Sequence, residues 1–204
     1  MSELSDAQSQ LQIEADEVVR VLDLDALLGK IGRPIRVGSS AMGLMVRRDI
    51  DITVVCSELN EDTLAVFSAI AAQMISRTDC VMAVRFRNDT GDWNMEPEKY
   101  PDGHYLGLSV RMPDQHTWAV DIWVVDEPEK QPDIQHLTTL LPRLSEADRE
   151  AILAIKLVLA APSPGAAQIP SALVYGAVMD QGIRTYQEFE HWCRRDYVCA
   201  SSSS

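Results

Sequence analysis

The run Asp49-Ile50-Asp51-Ile52-Thr53-Val54-Val55 is filled with β-branched residues and reads as a strand, yet two carboxylates interrupt it. Side chains two apart on a strand share a face, so the acids are like charges held a few ångströms apart. Each raises the cost of ionising the other. A bound divalent cation removes that conflict. Ten residues before Asp49, Val37-Gly38-Ser39-Ser40 closes a short apolar stretch with small residues. Such a turn lets backbone N–H groups approach a phosphate. Together the two features point to metal-assisted nucleotide chemistry.

A chain of 204 residues with 46% hydrophobic content can bury a real core as one domain, or one domain with a small appendage. Its 18 basic and 31 acidic residues leave a net charge of −13, which repels a polyphosphate backbone unless basic residues segregate on one face. The densest basic stretches, Arg47-Arg48 and Arg194-Arg195, are only pairs. An acidic field suits a cationic acceptor or a protein instead. Cys56, Cys80, Cys193 and Cys199 show no CxxC spacing and no neighbouring histidine, so they read as buried or incidental thiols. The first residues are acidic and polar rather than basic and then apolar, so no secretory signal is expected. No apolar run approaches the about 18 residues that span a bilayer. A reducing cytoplasm and no membrane partner are the expectations.

Apolar positions at Leu11, Ala15, Val18 and Leu22 predict one amphipathic helix from about Ser5 to Leu28, stopped by Gly29. Short strands follow at Ile35 to Val37 and Val46 to Cys56, separated by a turn with one helical turn over Gly38 to Met45. Asp62 to Arg77 has acids first and a base last, as a helix dipole favours. Cys80 to Arg87 alternates as a strand, and Tyr105 to Met112 with Thr117 to Val125 forms a hairpin. The segment from Asn88 to His104 is long enough to be mobile or functional. It could meet an acceptor through Trp93 or Tyr100, although an irregular surface loop is the stronger reading. After Pro128 helical patterns take over: Ile134 to Leu141, Ser145 to Leu159 with a capping serine, Pro170 to Gln181 and Thr185 to Arg195. Pro162-Ser163-Pro164-Gly165 breaks the chain between them. The expected division is a catalytic domain over 1–128, a helical region over 129–200 and a disordered tail over 201–204.

A third acid, Asp121, sits alone in the apolar strand Trp118-Ala119-Val120-Asp121-Ile122-Trp123-Val124-Val125. Its strand can lie beside that of Asp49 and Asp51. Three converging carboxylates suit two Mg²⁺ ions, because hard cations prefer oxygen ligands and phosphoryl-transfer sites use paired ions about 3.5–4 Å apart. Val37-Gly38-Ser39, nine residues, Asp49-Ile50-Asp51-Ile52 and later Val120-Asp121-Ile122 resemble the signature of the polymerase-β-like nucleotidyltransferase superfamily. The likeness covers roughly residues 30–126. It implies an α+β fold, a mixed sheet with packed helices followed by a small helical region. It also implies that Gly38 and Ser39 bind the β- and γ-phosphates of a nucleoside triphosphate, ATP being the favoured one. Asp49, Asp51 and Asp121 are then the catalytic acids and metal ligands, Asp121 helping to deprotonate the acceptor hydroxyl.

Lys156 is the one charge between Ala151 and Ala161 in an apolar helix. It either snorkels to solvent or is aimed at something anionic, and members of the resembled family often bring a basic residue from the helical part to the triphosphate. Arg47 and Arg48 could touch phosphate, but Arg48 alternates with Asp49 and points away, so a solvated edge is the stronger reading. His104, His116, His136 and His191 have no HxxxH spacing, and Asp89, Asp92 and Glu96 could meet a cationic acceptor, although a solvated role is the stronger reading. The expected activity moves a nucleoside monophosphate to a hydroxyl of a small molecule, such as an aminoglycoside, or of a protein. A toxin-like enzyme acting on tRNA, and a silent nucleotide-binding regulator, are the alternatives. No motif marks the base preference or the oligomeric state.

Overall fold

Residues 2–161 and 169–197 are described in a computed structural model. The expected tail at 201–204 and the whole break over 162–165 lie outside the described residues. Helix α1 (Glu3–Val21) is capped by the Ser2 hydroxyl, which accepts from the Ser5 N–H at 3.4 Å, and it buries Ala15, Val18 and Val19. The single helix expected to reach Leu28 is two. Asp23 takes a left-handed φ of 52°, which a short polar side chain tolerates, and α2 (Leu24–Leu28) restarts beyond it. The break lets Leu22, Leu24, Leu27 and Leu28 all turn into the core.

A sheet of five strands follows: β1 (Arg33–Val37), β2 (Asp49–Val55), β3 (Val81–Asp89), β4 (Gly103–Arg111) and β5 (Thr117–Val125). Its order is β1-β2-β5-β4-β3, with β2 and β5 parallel and the other pairs antiparallel. The expected β4–β5 hairpin is present, and it inserts β5 beside β2. Strand β2 begins at Asp49 rather than Val46, because its ladder to β5 opens at the Arg48 carbonyl, which accepts from the Ala119 N–H at 3.0 Å. Strand β3 runs on to Asp89, paired with Gly103, so the irregular connection is shorter than expected. Asp102 ties that connection, accepting from the Gly91 N–H at 2.9 Å and from Asn94 Nδ2 at 3.0 Å.

Alternation along the strands separates the two faces of the sheet. Ile50, Ile52, Val54, Leu106, Leu108, Val110, Trp118, Val120, Ile122 and Val124 pack with α1, α2 and α4 (Glu61–Ser76) into one core cluster. The other face carries Asp49, Asp51 and Asp121. Beside it lie α3 (Gly38–Met42) and the helices α5 (Pro132–Thr139), α6 (Glu146–Ala160), α7 (Ser171–Gln181) and α8 (Tyr186–Trp192). A second cluster joins Met42 and Leu44 to Ile152, Ile155, Val174, Tyr175, Val178 and Phe189. The helical part is therefore packed on the segment that follows Gly38. No described helix is long and apolar enough to cross a membrane.

Helix α6 starts in a reciprocal capping box: the Ser145 hydroxyl accepts from the Asp148 N–H and Asp148 accepts from the Ser145 N–H at 3.1 Å. Ser145→Ala should lower unfolding free energy by about 1 kcal/mol. Urea denaturation monitored by circular dichroism measures this directly.

Candidate active site

The parallel register of β2 and β5 sets Asp51 directly opposite Asp121, and Asp49, two residues earlier, lies on the same face. The last residue of β1, Val37, pairs with Asp51, so the chain turns into α3 beside that carboxylate. Gly38 makes this turn at φ +62°, and a Cβ there would fall 2.2 Å from Asp51 Oδ2. Both the backbone conformation and the close approach demand glycine. Ser39 and Ser40 follow it, both buried, with Ser40 Oγ donating to the Val37 carbonyl at 3.2 Å.

Electrostatics bind these groups into one unit. Burial, followed by the charges of Asp49, Asp133 and Asp121, raises the Asp51 carboxyl to about 7. Burial also raises Asp49, opposed by Lys156 and Arg47. Lys156 is 7% exposed, and its Nζ donates to the Leu44 carbonyl at 2.7 Å and to the Tyr175 hydroxyl at 3.3 Å. Desolvation lowers it to about 8, while Asp49 and Asp51 favour its charged form. Asp49, Asp51, Gly38, Ser39 and Lys156 thus meet at one end of β2, and Asp121 joins them from β5. Arg48 points away from them: it bonds Glu14 at 3.0 Å and lies over the Trp118 ring. Arg47 is exposed, donates to the Leu159 carbonyl at 3.3 Å, and still acts on Asp49.

Three participants carry no signal in the sequence that stood out. Asp133 opens α5 and reads as an ordinary first-turn acid, yet its charge reaches Asp51. Tyr105 donates its phenol to Asp121 Oδ1 at 2.6 Å, and burial together with this bond raises the phenol to about 12. Trp123, two residues past Asp121, packs against Tyr105 in a tilted arrangement, 5.1 Å between ring centroids and 49° between planes. The Arg87 guanidinium lies over both rings, at 5.0 and 5.1 Å, and pairs with Asp89 at 2.7 Å. Arg87, Asp89, Glu96, Tyr100, Trp123 and Asp133 line a cavity of about 580 Å³. The loop after β3 therefore contributes Tyr100 to a cavity wall, whereas Trp93 is 70% exposed. Asp89 and Glu96, read as solvated, face this cavity.

The three acids fit a hard cation by donor chemistry, and such an ion would offset the burial and the neighbouring charges that raise Asp51. Among the described residues a tighter knot of ligand atoms, all within 4.8 Å of one another, occurs at Glu14, Asp114 and His116. Arg48 already pairs with that Glu14, and His116 Nδ1 turns to Asp114 at 3.0 Å.

The mixed five-stranded sheet with its packed helices is a fold also found among solved structures. Among solved structures the chain is similar to the Cid1 poly(U) polymerase bound to MgATP, with a TM-score of 0.54 and 16% identity over 87% of this chain and 55% of that one. A cytoplasmic RNA terminal U-transferase is also similar, with a TM-score of 0.44 and 16% identity over 76% of this chain and 46% of that one. The chain thus spans about half the length of these structures. Compared by sequence, it matches no protein-family model and no curated protein.

A raised carboxyl binds a proton in the folded state that the unfolded chain has released. Between the ordinary carboxylate value of 3.8 and about 7 the folded protein holds more protons at Asp51, so metal-free stability falls as pH rises through that window. Lys156 acts oppositely in a separate window: between about 8 and 10.5 the unfolded chain holds more protons, so stability rises with pH there. Thermal melts in chelator should show Tm falling from about pH 5 to about pH 7. Asp51→Asn should flatten that fall.

Proposed function

We propose that the protein is a Mg²⁺-dependent nucleotidyltransferase that moves a nucleoside monophosphate from a triphosphate, ATP by preference, to an acceptor hydroxyl and releases pyrophosphate. The observation that carries this reading is the in-register placement of Asp51 and Asp121, with Asp49 on the same face and the Gly38 turn against Asp51. Asp49, Asp51 and Asp121 would hold two Mg²⁺ ions, which when bound supply charge neutralisation for the triphosphate and activation of the attacking oxygen. The Gly38–Ser39 backbone receives the β- and γ-phosphates, and Lys156 and Arg47 stand on the same side to complement their charge. Asp121, on the strand nearer the cavity, takes the acceptor proton. Chemistry of this kind is mostly positioning and electrostatic stabilisation, so few further groups are required. The accompanying layout is a nucleotidyltransferase domain over 1–128 and a helical region over 129–200 that delivers Lys156.

The surroundings of the acids are polarised, and this supports an acceptor of positive charge. Cations gather near Asp49, whereas Asp133, Asp89 and Glu96 face the cavity on the Trp123 side. Arg87 and Asp89 in that wall offset each other, and Lys99 pairs with Glu96 at 3.3 Å, so the acidic bias of the wall rests on Asp133. A small aminated molecule bearing a hydroxyl, of the aminoglycoside kind, or a protein side chain suits such a cavity. An RNA acceptor is the second reading, favoured by the poly(U) polymerase likeness and opposed by the net charge of −13.

Purified protein with Mg²⁺ and ATP should release pyrophosphate when offered acceptors from a panel of amino sugars, proteins and RNA. Asp51→Ala and Asp121→Ala should each reduce release by at least about 1,000-fold while remaining folded, a loss on the scale of removing a principal electrostatic group. Normal turnover by either variant overturns the metal assignment. Stimulation by RNA alone overturns the cationic acceptor.

A further inference from the structure

Gly107 occupies the middle of β4, where a glycine weakens a strand by leaving backbone entropy unopposed and a packing position empty. It does not adopt a left-handed backbone conformation there. Its role is one of space. Gly107 is the direct cross-strand partner of Asp121, and a Cβ at this position would lie 2.5 Å from the Tyr105 phenol oxygen and 3.0 Å from Cζ. The phenol of Tyr105, whose own cross-strand partner is Trp123, crosses the gap left by Gly107 to reach Asp121 Oδ1 at 2.6 Å.

The ring is held from two further sides. Trp123 packs against it, and Arg87, cross-strand partner of Tyr105 on β3, lies over it while Asp89 grips the guanidinium through Nε at 2.8 Å. A continuous set of contacts thus runs from the outer strand β3 across β4 to Asp121. The terminal torsion of an aspartate is broad and roughly two-fold, so without a partner the two oxygens exchange freely. A phenol locked on Oδ1 suppresses that rotation and leaves Oδ2 for the reacting centre.

We infer that Tyr105 is a positioning residue for Asp121, working through a passage that Gly107 keeps open. This rests on the proposal that Asp121 serves the reaction as a metal ligand. Because Trp123 and Arg87 also line the 580 Å³ cavity, the same platform that fixes the phenol forms part of the surface presented to the acceptor.

Tyr105→Phe keeps the ring and its packing and deletes only the bond to Asp121. With Mg²⁺ and ATP it should lower kcat for pyrophosphate release by about 10–100-fold, the usual effect of losing a partner that orients a metal ligand. The KM for ATP should stay within about twofold, since the triphosphate side is untouched. Gly107→Ala retains the hydroxyl but blocks its path and should cause a similar loss. Combined with Tyr105→Phe, it should add little, because both act on one bond. Mn²⁺ binding, followed by electron paramagnetic resonance, gives a readout independent of turnover. Both variants should weaken it by about tenfold or more, with melting temperatures near that of the wild type. Equal Mn²⁺ affinity in wild type and Tyr105→Phe overturns the inference, as do losses that multiply in the double variant. If the wild type binds Mn²⁺ and ATP but releases no pyrophosphate with any acceptor, the transferase reading fails while the Mn²⁺ comparison still decides the role of Tyr105.

Discussion

The parallel pairing of β2 with β5 sets Asp51 against Asp121, and every other feature of the site is arranged around that register. A slip of one residue would turn the acids into the core beneath α1, α2 and α4 and drive the isoleucines and valines of both strands out of it. The apolar face prevents it: Ile50, Ile52, Val54, Val120, Ile122 and Val124 are each 2% exposed or less. The hydrophobic effect thus pays for holding like charges together out of water, and burial followed by those neighbouring charges raises the Asp51 carboxyl. Gly38 belongs to the same constraint, because a side chain at that turn would displace the Asp51 carboxylate.

Around this centre the protein is electrically divided. The helical part, packed on Met42 and Leu44, brings Lys156 under Asp49 and Asp51 with its ammonium bonded to the Leu44 carbonyl. On the other side the Tyr105, Trp123 and Arg87 platform and the carboxylates of Asp133 and Asp89 form the cavity wall. In the proposed reaction the triphosphate would lie on the Lys156 side and the acceptor on the side of the cavity.

Much of this was legible in the chain. Asp49, Asp51 and Asp121 stand out because a carboxylate in a β-branched strand is costly; alternation assigns Asp49 and Asp51 to one face, and the β2–β5 register adds Asp121. Gly38-Ser39 stood out through its distance from them. The break at Asp23 did not, since neither glycine nor proline marks it and the left-handed turn is stabilised by leucines on both sides reaching the core. Asp133 and Tyr105 were silent for a different reason: their importance comes from which strand or helix lands beside them. An aspartate after a proline is a common helix start, and an alternating tyrosine is a common strand residue. Only the cross-strand register of β4 and β5 gives Tyr105 and Gly107 their meaning.

The central claim is that the acid cluster holds a metal–nucleotide complex. Calorimetric titration with a non-hydrolysable ATP analogue tests it most directly, in Mg²⁺ and again in chelator, for the wild type and for Asp51→Asn. The account predicts binding to the wild type that depends on Mg²⁺ and is weakened by about tenfold or more in the variant. Equal binding with and without Mg²⁺, unaffected by Asp51→Asn, would contradict it.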